Sequence, residues 1–180
     1  MLDLALEDEA HTGNRLKSGE VLAAVTSDGQ AVTGCRCYPL GAIDYVAVAS
    51  PEYRERNFPE GVTAKALEIA PILRFDRRDG LQERWARSVL GLNHFAPPTH
   101  WVPSTPSMLA LTLSGLGWAM TPVHLARAPL AAGQLVELMP ERPLSVPLYW
   151  QRTRLGAELL EQLTSAVRST ATEWLNADAV

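Results

Sequence analysis

Four helix-start signals lie between residues 50 and 106, and short apolar runs stand between them. Ser50-Pro51-Glu52 joins an N-cap hydroxyl to a proline at the first helical position and an acid in the first turn. Thr63 precedes a short helical stretch that Pro71 ends. Asp79 and Gln82 have capping-box spacing, with Leu81, Trp85, Ser88 and Leu92 on one helical face and Gly91 near its end. Thr105-Pro106 opens a helix that carries Met108, Leu109, Leu111 and Leu113 and stops at Gly115. Residues 44–49, 72–75, 100–102 and 117–121 read as strands, the last stopping at Pro122. This alternation is that of a parallel sheet and puts the chain in the α/β class.

Both flanks extend the pattern. Leu2, Leu4 and Leu6 alternate with Asp3, Ala5 and Glu7, so the chain is expected to begin inside a strand with one buried face. A helix over 12–17 closed by Gly19 and a strand over 21–25 ending at the Asp28-Gly29 turn would complete a β-α-β unit. A further strand is expected over 35–38. Beyond the middle section the sequence predicts a helix over 123–128, strands over 135–138 and 146–150, and a long helix over 157–175. Leu159, Leu160, Leu163, Val167 and Trp174 form its apolar stripe. The preferred division is into two lobes, one made of residues 1–45 and 146–180 and the other of residues 46–145.

Composition narrows the function. The 180 residues are 47% hydrophobic and 20% charged, enough for a real core. Sixteen Lys+Arg against twenty Asp+Glu give a charge of -4, so no basic field draws this segment to nucleic acid. No apolar run reaches the roughly 18 residues of a membrane helix, and Met1-Leu2-Asp3-Leu4 lacks the features of a signal peptide. A cytoplasmic protein with no membrane partner is expected. Cys35 and Cys37 are too sparse for a metal site and poorly spaced for a mutual disulfide. The sequence has no G-x-S-x-G elbow, H-E-x-x-H pair or phosphate-binding loop. His11, His94, His100 and His124 are scattered and read as surface or structural residues. Gly115-Leu116-Gly117 follows a helix and precedes a strand, the reverse of what a dinucleotide site requires. No catalytic residue, metal or cofactor is therefore expected.

The hydroxyls and acids at predicted strand ends are more informative. Ligands of open α/β sheets bind beyond the carboxyl ends of the strands, where helix N-termini offer free N–H groups. Four such ends are Thr26-Ser27-Asp28, Phe75-Asp76, the run from Pro103 to Ser107, and Thr121-Pro122. Ser104, Thr105 and Ser107 at a helix start suit a small carboxylate, and equally suit a plain helix cap. Asp28 and Asp76 could each neutralise a cationic ligand head, although turn and cap roles are as common for aspartate.

Taken in order, several stretches resemble one family: the effector-binding domain of LysR-type transcriptional regulators, in the branch responsive to arginine and lysine. They are Leu6-Glu7-Asp8 with Arg15-Leu16 and Gly19-Glu20-Val21, the run Leu40 to Tyr45 with Val48-Ala49-Ser50, Phe58 to Thr63, Gly115 to Trp118 with Met120-Thr121-Pro122, and Pro147 to Trp150. The similarity runs through essentially the whole chain.

The resemblance implies a two-lobed periplasmic-binding-protein-like α/β fold with two crossover strands, the first lobe incomplete at its N-terminus. It also implies a basic amino acid held between the lobes, a homo-oligomer (dimer or tetramer), and DNA contacted only through a helix-turn-helix domain that this chain lacks. Carried over by position, the ligand-binding set is Ser27, Asp28, Phe75, Asp76, Ser104, Thr105, Thr121 and Pro122. Ser104 and Thr105 would hold the carboxylate. Asp76, with Arg77 and Arg78 turned to solvent, is preferred over Asp28 for the cationic end. A solute-binding transport component of the same fold is the alternative reading, and an enzyme on that scaffold the third.

Overall fold

The structure is a computed structural model, and it describes residues 2–5, 12–155 and 157–176, apart from the side chains at positions 157 and 159. The chain divides into two compact units: Met1–Ile43 with Ser145–Val180, and Asp44–Leu144.

In the first unit, helix α1 (Thr12–Ser18) ends at Gly19, whose φ of +76° is the left-handed conformation that stops a helix. Strand β1 (Ala23–Thr26) pairs antiparallel with β7 (Leu144–Thr153), from Ala23 opposite Arg152 to Thr26 opposite Tyr149. Among the described residues no strand precedes α1, so the first strand of the expected β-α-β unit is not found there. Residues 2–5 have no regular structure, and Leu2 and Leu4 are 63% and 83% exposed. Alternating leucines form a strand only when a neighbour covers their apolar face, and nothing described covers these. Leu6 and Glu7, the rest of that expectation, lie outside the described residues.

The two strands expected over 35–38 and 44–49 are one, β2 (Cys35–Ala49). Pro39 is exposed, and Gly41 takes φ +116°, so the segment bends without breaking. A Cβ at Gly41 would lie 2.9 Å from the carbonyl oxygen of Asn176, whose backbone pairs with Ala42. Helix α7 (Ala157–Trp174) buries Leu160, Thr164 and Ala171 and half-buries Leu163 and Val167. The Trp150 indole donates to Thr164 Oγ1 at 2.9 Å. Trp174, predicted on the same stripe, is 62% exposed. Fourteen residues after Leu160, a 3.6-residue helix has drifted about 40° from its starting face.

The second unit follows the predicted alternation. Its helices are α2 (Pro51–Asn57), α3 (Ala64–Ile69), α4 (Leu81–Leu90), α5 (Thr105–Leu113) and α6 (Val123–Ala131). Ser50, Thr63 and Ser104 cap α2, α3 and α5 through their side chains, as their sequence positions require. Strand β3 (Ile72–Arg74) lies parallel to β4 (Thr99–Trp101), and Ile72 bridges in parallel to Trp118, just ahead of β5 (Ala119–Pro122). The end of β2 pairs antiparallel with β5 and with β6 (Val136–Glu137). Leu73, Met108 and Ala119 form one core cluster, with Phe75, Val102 and Leu111 against it. Val46, Val48, Ala126 and Leu135 form another. Beside them the rings of Trp85 and Trp118 stand 5.3 Å apart.

Candidate functional site

The carboxyl ends of the second unit's parallel strands come out at one edge. Arg74 stands opposite Trp101, the Val102 N–H donates to the Arg74 carbonyl at 2.8 Å, and the Leu73 N–H donates to the Trp118 carbonyl at 2.9 Å. Asp76 and Ser104 each lie two residues beyond the Arg74–Val102 bond. Neighbouring strands are about 4.8 Å apart, so this register brings the two residues to the same edge, next to the start of α5. Thr121 and Pro122 end β5 there and are buried, and half-buried Phe75 packs on the Leu73 cluster. Half-buried Asp76 and exposed Thr105 are the more accessible polar residues.

Asp76 is tied into a turn. Its Oδ1 accepts from the Arg78 N–H at 2.6 Å and the Asp79 N–H at 3.0 Å. Both bonds use the same oxygen, so the turn fixes the carboxylate without employing Oδ2. Ser104 Oγ accepts from the Ser107 N–H at 3.4 Å and from the Ser107 hydroxyl at 2.9 Å. Thr105 opens α5, a helix of nine residues whose first-turn amides carry partial positive charge. Arg77 is exposed, as expected, and its guanidinium lies over the exposed ring of Trp101, 5.1 Å from the centroid.

The residue that sequence reasoning misread is Asp79. Its spacing to Gln82 signals a capping box, but Gly80 is the N-cap of α4 and makes no side-chain bond. Asp79 is 3% exposed. Its Oδ1 accepts from the Leu81 N–H at 3.0 Å, and its Oδ2 accepts from the Phe75 N–H at 3.1 Å and the Gln82 amide at 3.4 Å. Gln82 also donates to the Leu73 carbonyl, and buried Arg74 joins Asp79's carbonyl to Glu83.

Ser27 and Asp28 belong to the first unit. Half-buried Ser27 follows β1, and the exposed Asp28 carboxylate accepts from the Gln30 N–H at 2.8 Å. Fully buried Gln151 holds this loop: its amide donates to the carbonyls of Asp28 and Gln30 and accepts from the Val32 N–H, each at 2.9 Å. No local signal marks a mid-strand glutamine as the partner of a loop about 120 residues away. Burial pushes the nearby Cys37 thiol up, and the charge of Asp28 adds to the shift. Among the described residues no His, Cys, Asp and Glu side chains gather into a metal site, and no helix is long and apolar enough to cross a membrane.

Residues 2–172 match the model of the LysR substrate binding domain. The chain belongs to that family. This LysR substrate-binding domain is 41% identical over 175 residues to the HTH-type transcriptional regulator ArgP of Pseudomonas fluorescens, and 39% identical over 171 residues to LysG of Mycobacterium tuberculosis. Those matches take in 97% and 95% of the chain but only 58% and 56% of the relatives. The chain therefore spans little more than half the length of these curated relatives. Among solved structures, the C-terminal domains of a LysR family protein from Agrobacterium tumefaciens superpose with a TM-score of 0.91 at 47% identity, covering 97% of this chain and 84% of that one. Full-length LysG of Corynebacterium glutamicum with bound effector Arg superposes with a TM-score of 0.85 at 36% identity, covering 97% and 59%. The α/β fold of this LysR domain is accordingly the two-lobed, periplasmic-binding-protein-like one.

Proposed function

We propose that this LysR domain is the effector-sensing part of a DNA-binding transcriptional regulator and that its effector is a basic amino acid, arginine or lysine. Asp76 takes the cationic side chain through Oδ2. The Thr105 N–H at the start of α5, with the Ser104 and Thr105 hydroxyls, takes the α-carboxylate, while Phe75, Thr121 and Pro122 line the apolar stem. Ser27 and Asp28 are retained in the ligand-binding set on the family resemblance alone. The observation that carries this reading is the register that puts an aspartate and a nine-residue helix's N-terminus at one sheet edge. The arginine-bound LysG relative supports the choice of ligand class.

Binding acts by population shift, because a ligand that prefers one conformation draws the protein toward it. The domain carries out no chemistry on the amino acid. It works in the cytoplasm within a homo-oligomer, and a helix-turn-helix domain outside residues 2–172 makes the DNA contacts. Calorimetric titration with L-arginine, L-lysine and L-citrulline tests the reading. Citrulline matches arginine in shape but is neutral, so it should bind weakly. A hydrogen bond to a charged group contributes about 1.5–3 kcal/mol, so Asp76→Ala should cost arginine roughly 10–100-fold in affinity. Unchanged affinity would refute the assignment.

A further inference from the structure

We infer that Asp79 is the positioning residue of the cation-binding end, acting on the ligand only through Asp76. The inference rests on the reading just given. The loop over 75–80 must turn the chain from β3 into α4 while presenting the Asp76 carboxylate at the sheet edge. One buried side chain fixes both of its ends: Asp79 accepts from the Phe75 N–H at the entrance and the Leu81 N–H at the exit. The same residue's own N–H donates to Asp76 Oδ1 at 3.0 Å and to the Asp76 carbonyl at 3.3 Å. Both bonds between the two aspartates thus run from the Asp79 amide to Asp76. Asp79 sets the path of the backbone, and its amide, with that of Arg78, sets the rotation of the Asp76 carboxylate.

Behind Asp79 stands a buried support. Gln82, fully buried, divides its amide protons between Asp79 Oδ2 and the Leu73 carbonyl. Arg74, 7% exposed, spans from the Asp79 carbonyl to Glu83. This network locks the loop to β3 and α4, the elements that hold the edge itself, and pre-orientation of a charged contact is where such outer support alters affinity.

The role predicts selectivity as well as affinity. If Asp79 acts through Asp76, its replacement should remove the advantage of a cationic side chain and leave the carboxylate subsite intact. Asp79→Asn keeps the volume but turns an amide donor toward groups that are themselves donors. Calorimetry of the protein with L-arginine and L-citrulline should show arginine binding at least tenfold weaker in Asp79→Asn, with citrulline affinity changed less than twofold. In an Asp76→Asn background the further Asp79→Asn change should add less than twofold for arginine. General loosening of the unit would weaken both ligands alike and overturn the proposal, as would an arginine preference that survives in Asp79→Asn. A wild-type protein with no preference for arginine over citrulline would instead sink the Asp76 reading, and the inference with it. If Asp79→Asn does not fold, Gln82→Met removes one donor to Asp79 and should erode arginine preference by about threefold. A wild-type ratio in that variant overturns the proposal.

Discussion

The attachment of α7 to β7 rests on a bond whose loss can be worked out in advance. The Trp150 ring is 5% exposed, and its indole N–H donates to Thr164 Oγ1 at 2.9 Å; Thr164 is itself 3% exposed. The Thr164 hydroxyl donates in turn to the Leu160 carbonyl of the preceding helical turn. Thr164→Val keeps the β-branched shape and leaves helix propensity nearly unchanged, so the perturbation is the loss of the acceptor. A buried donor left without a partner costs about 1–3 kcal/mol. The Leu160 carbonyl keeps its place in the helix ladder and adds little. For a chain of this size 1 kcal/mol moves Tm by about 2–4 °C, so a fall of roughly 2–12 °C is expected in a thermal melt followed by near-ultraviolet circular dichroism. Trp150→Phe removes the donor, and combined with Thr164→Val it leaves no orphaned group. The double variant should therefore be more stable than the sum of the single effects by about 1–3 kcal/mol. A Tm unchanged in Thr164→Val, or strictly additive effects in the cycle, would refute this account.

A Cβ at Gly29 would lie 2.8 Å from Cζ of the Tyr149 ring, so Gly29→Ala should destabilise the first unit, by about 1–3 kcal/mol for overpacking. Denaturant unfolding should show that loss and its partial recovery in Gly29→Ala with Tyr149→Leu. The Cys37 thiol is raised by burial and then by Asp28, so less thiolate is present at pH 8 than in a free cysteine. Iodoacetamide should modify it more slowly than a small-molecule thiol, and Asp28→Asn should speed the reaction. Gly117→Ala places a Cβ 3.1 Å from the Pro71 carbonyl and 3.2 Å from Leu73 Cγ. It should lower Tm measurably, because the Pro71 carbonyl can give only if the backbone leading into β3 shifts.

Elements defined by their own local chemistry were legible from residues alone. Ser50, Thr63 and Ser104 announce helices because a cap forms within three residues of itself. Elements whose partners are distant were not. Pro39 and Gly41 look like punctuation, yet β2 runs through them beside β7, a partner about a hundred residues further on. The leucines at positions 2 and 4 alternate as a strand does, but periodicity cannot supply the neighbour that would cover them. The site divided in the same way. Asp76 and Ser104 were visible as strand-end residues, while parallel register alone brings them to a common edge. Asp79 and Gln82 have the spacing of a cap, and only the three-dimensional path of the 75–80 loop turns that spacing into a buried support for the neighbouring carboxylate.

The most direct measurement is a crystal structure of the protein grown with L-arginine. The account predicts the guanidinium within hydrogen-bond distance of Asp76 Oδ2 and the α-carboxylate on the Thr105 N–H at the start of α5, beside the Ser104 and Thr105 hydroxyls. Arginine bound elsewhere, or seated with its carboxylate toward Asp76, would contradict it.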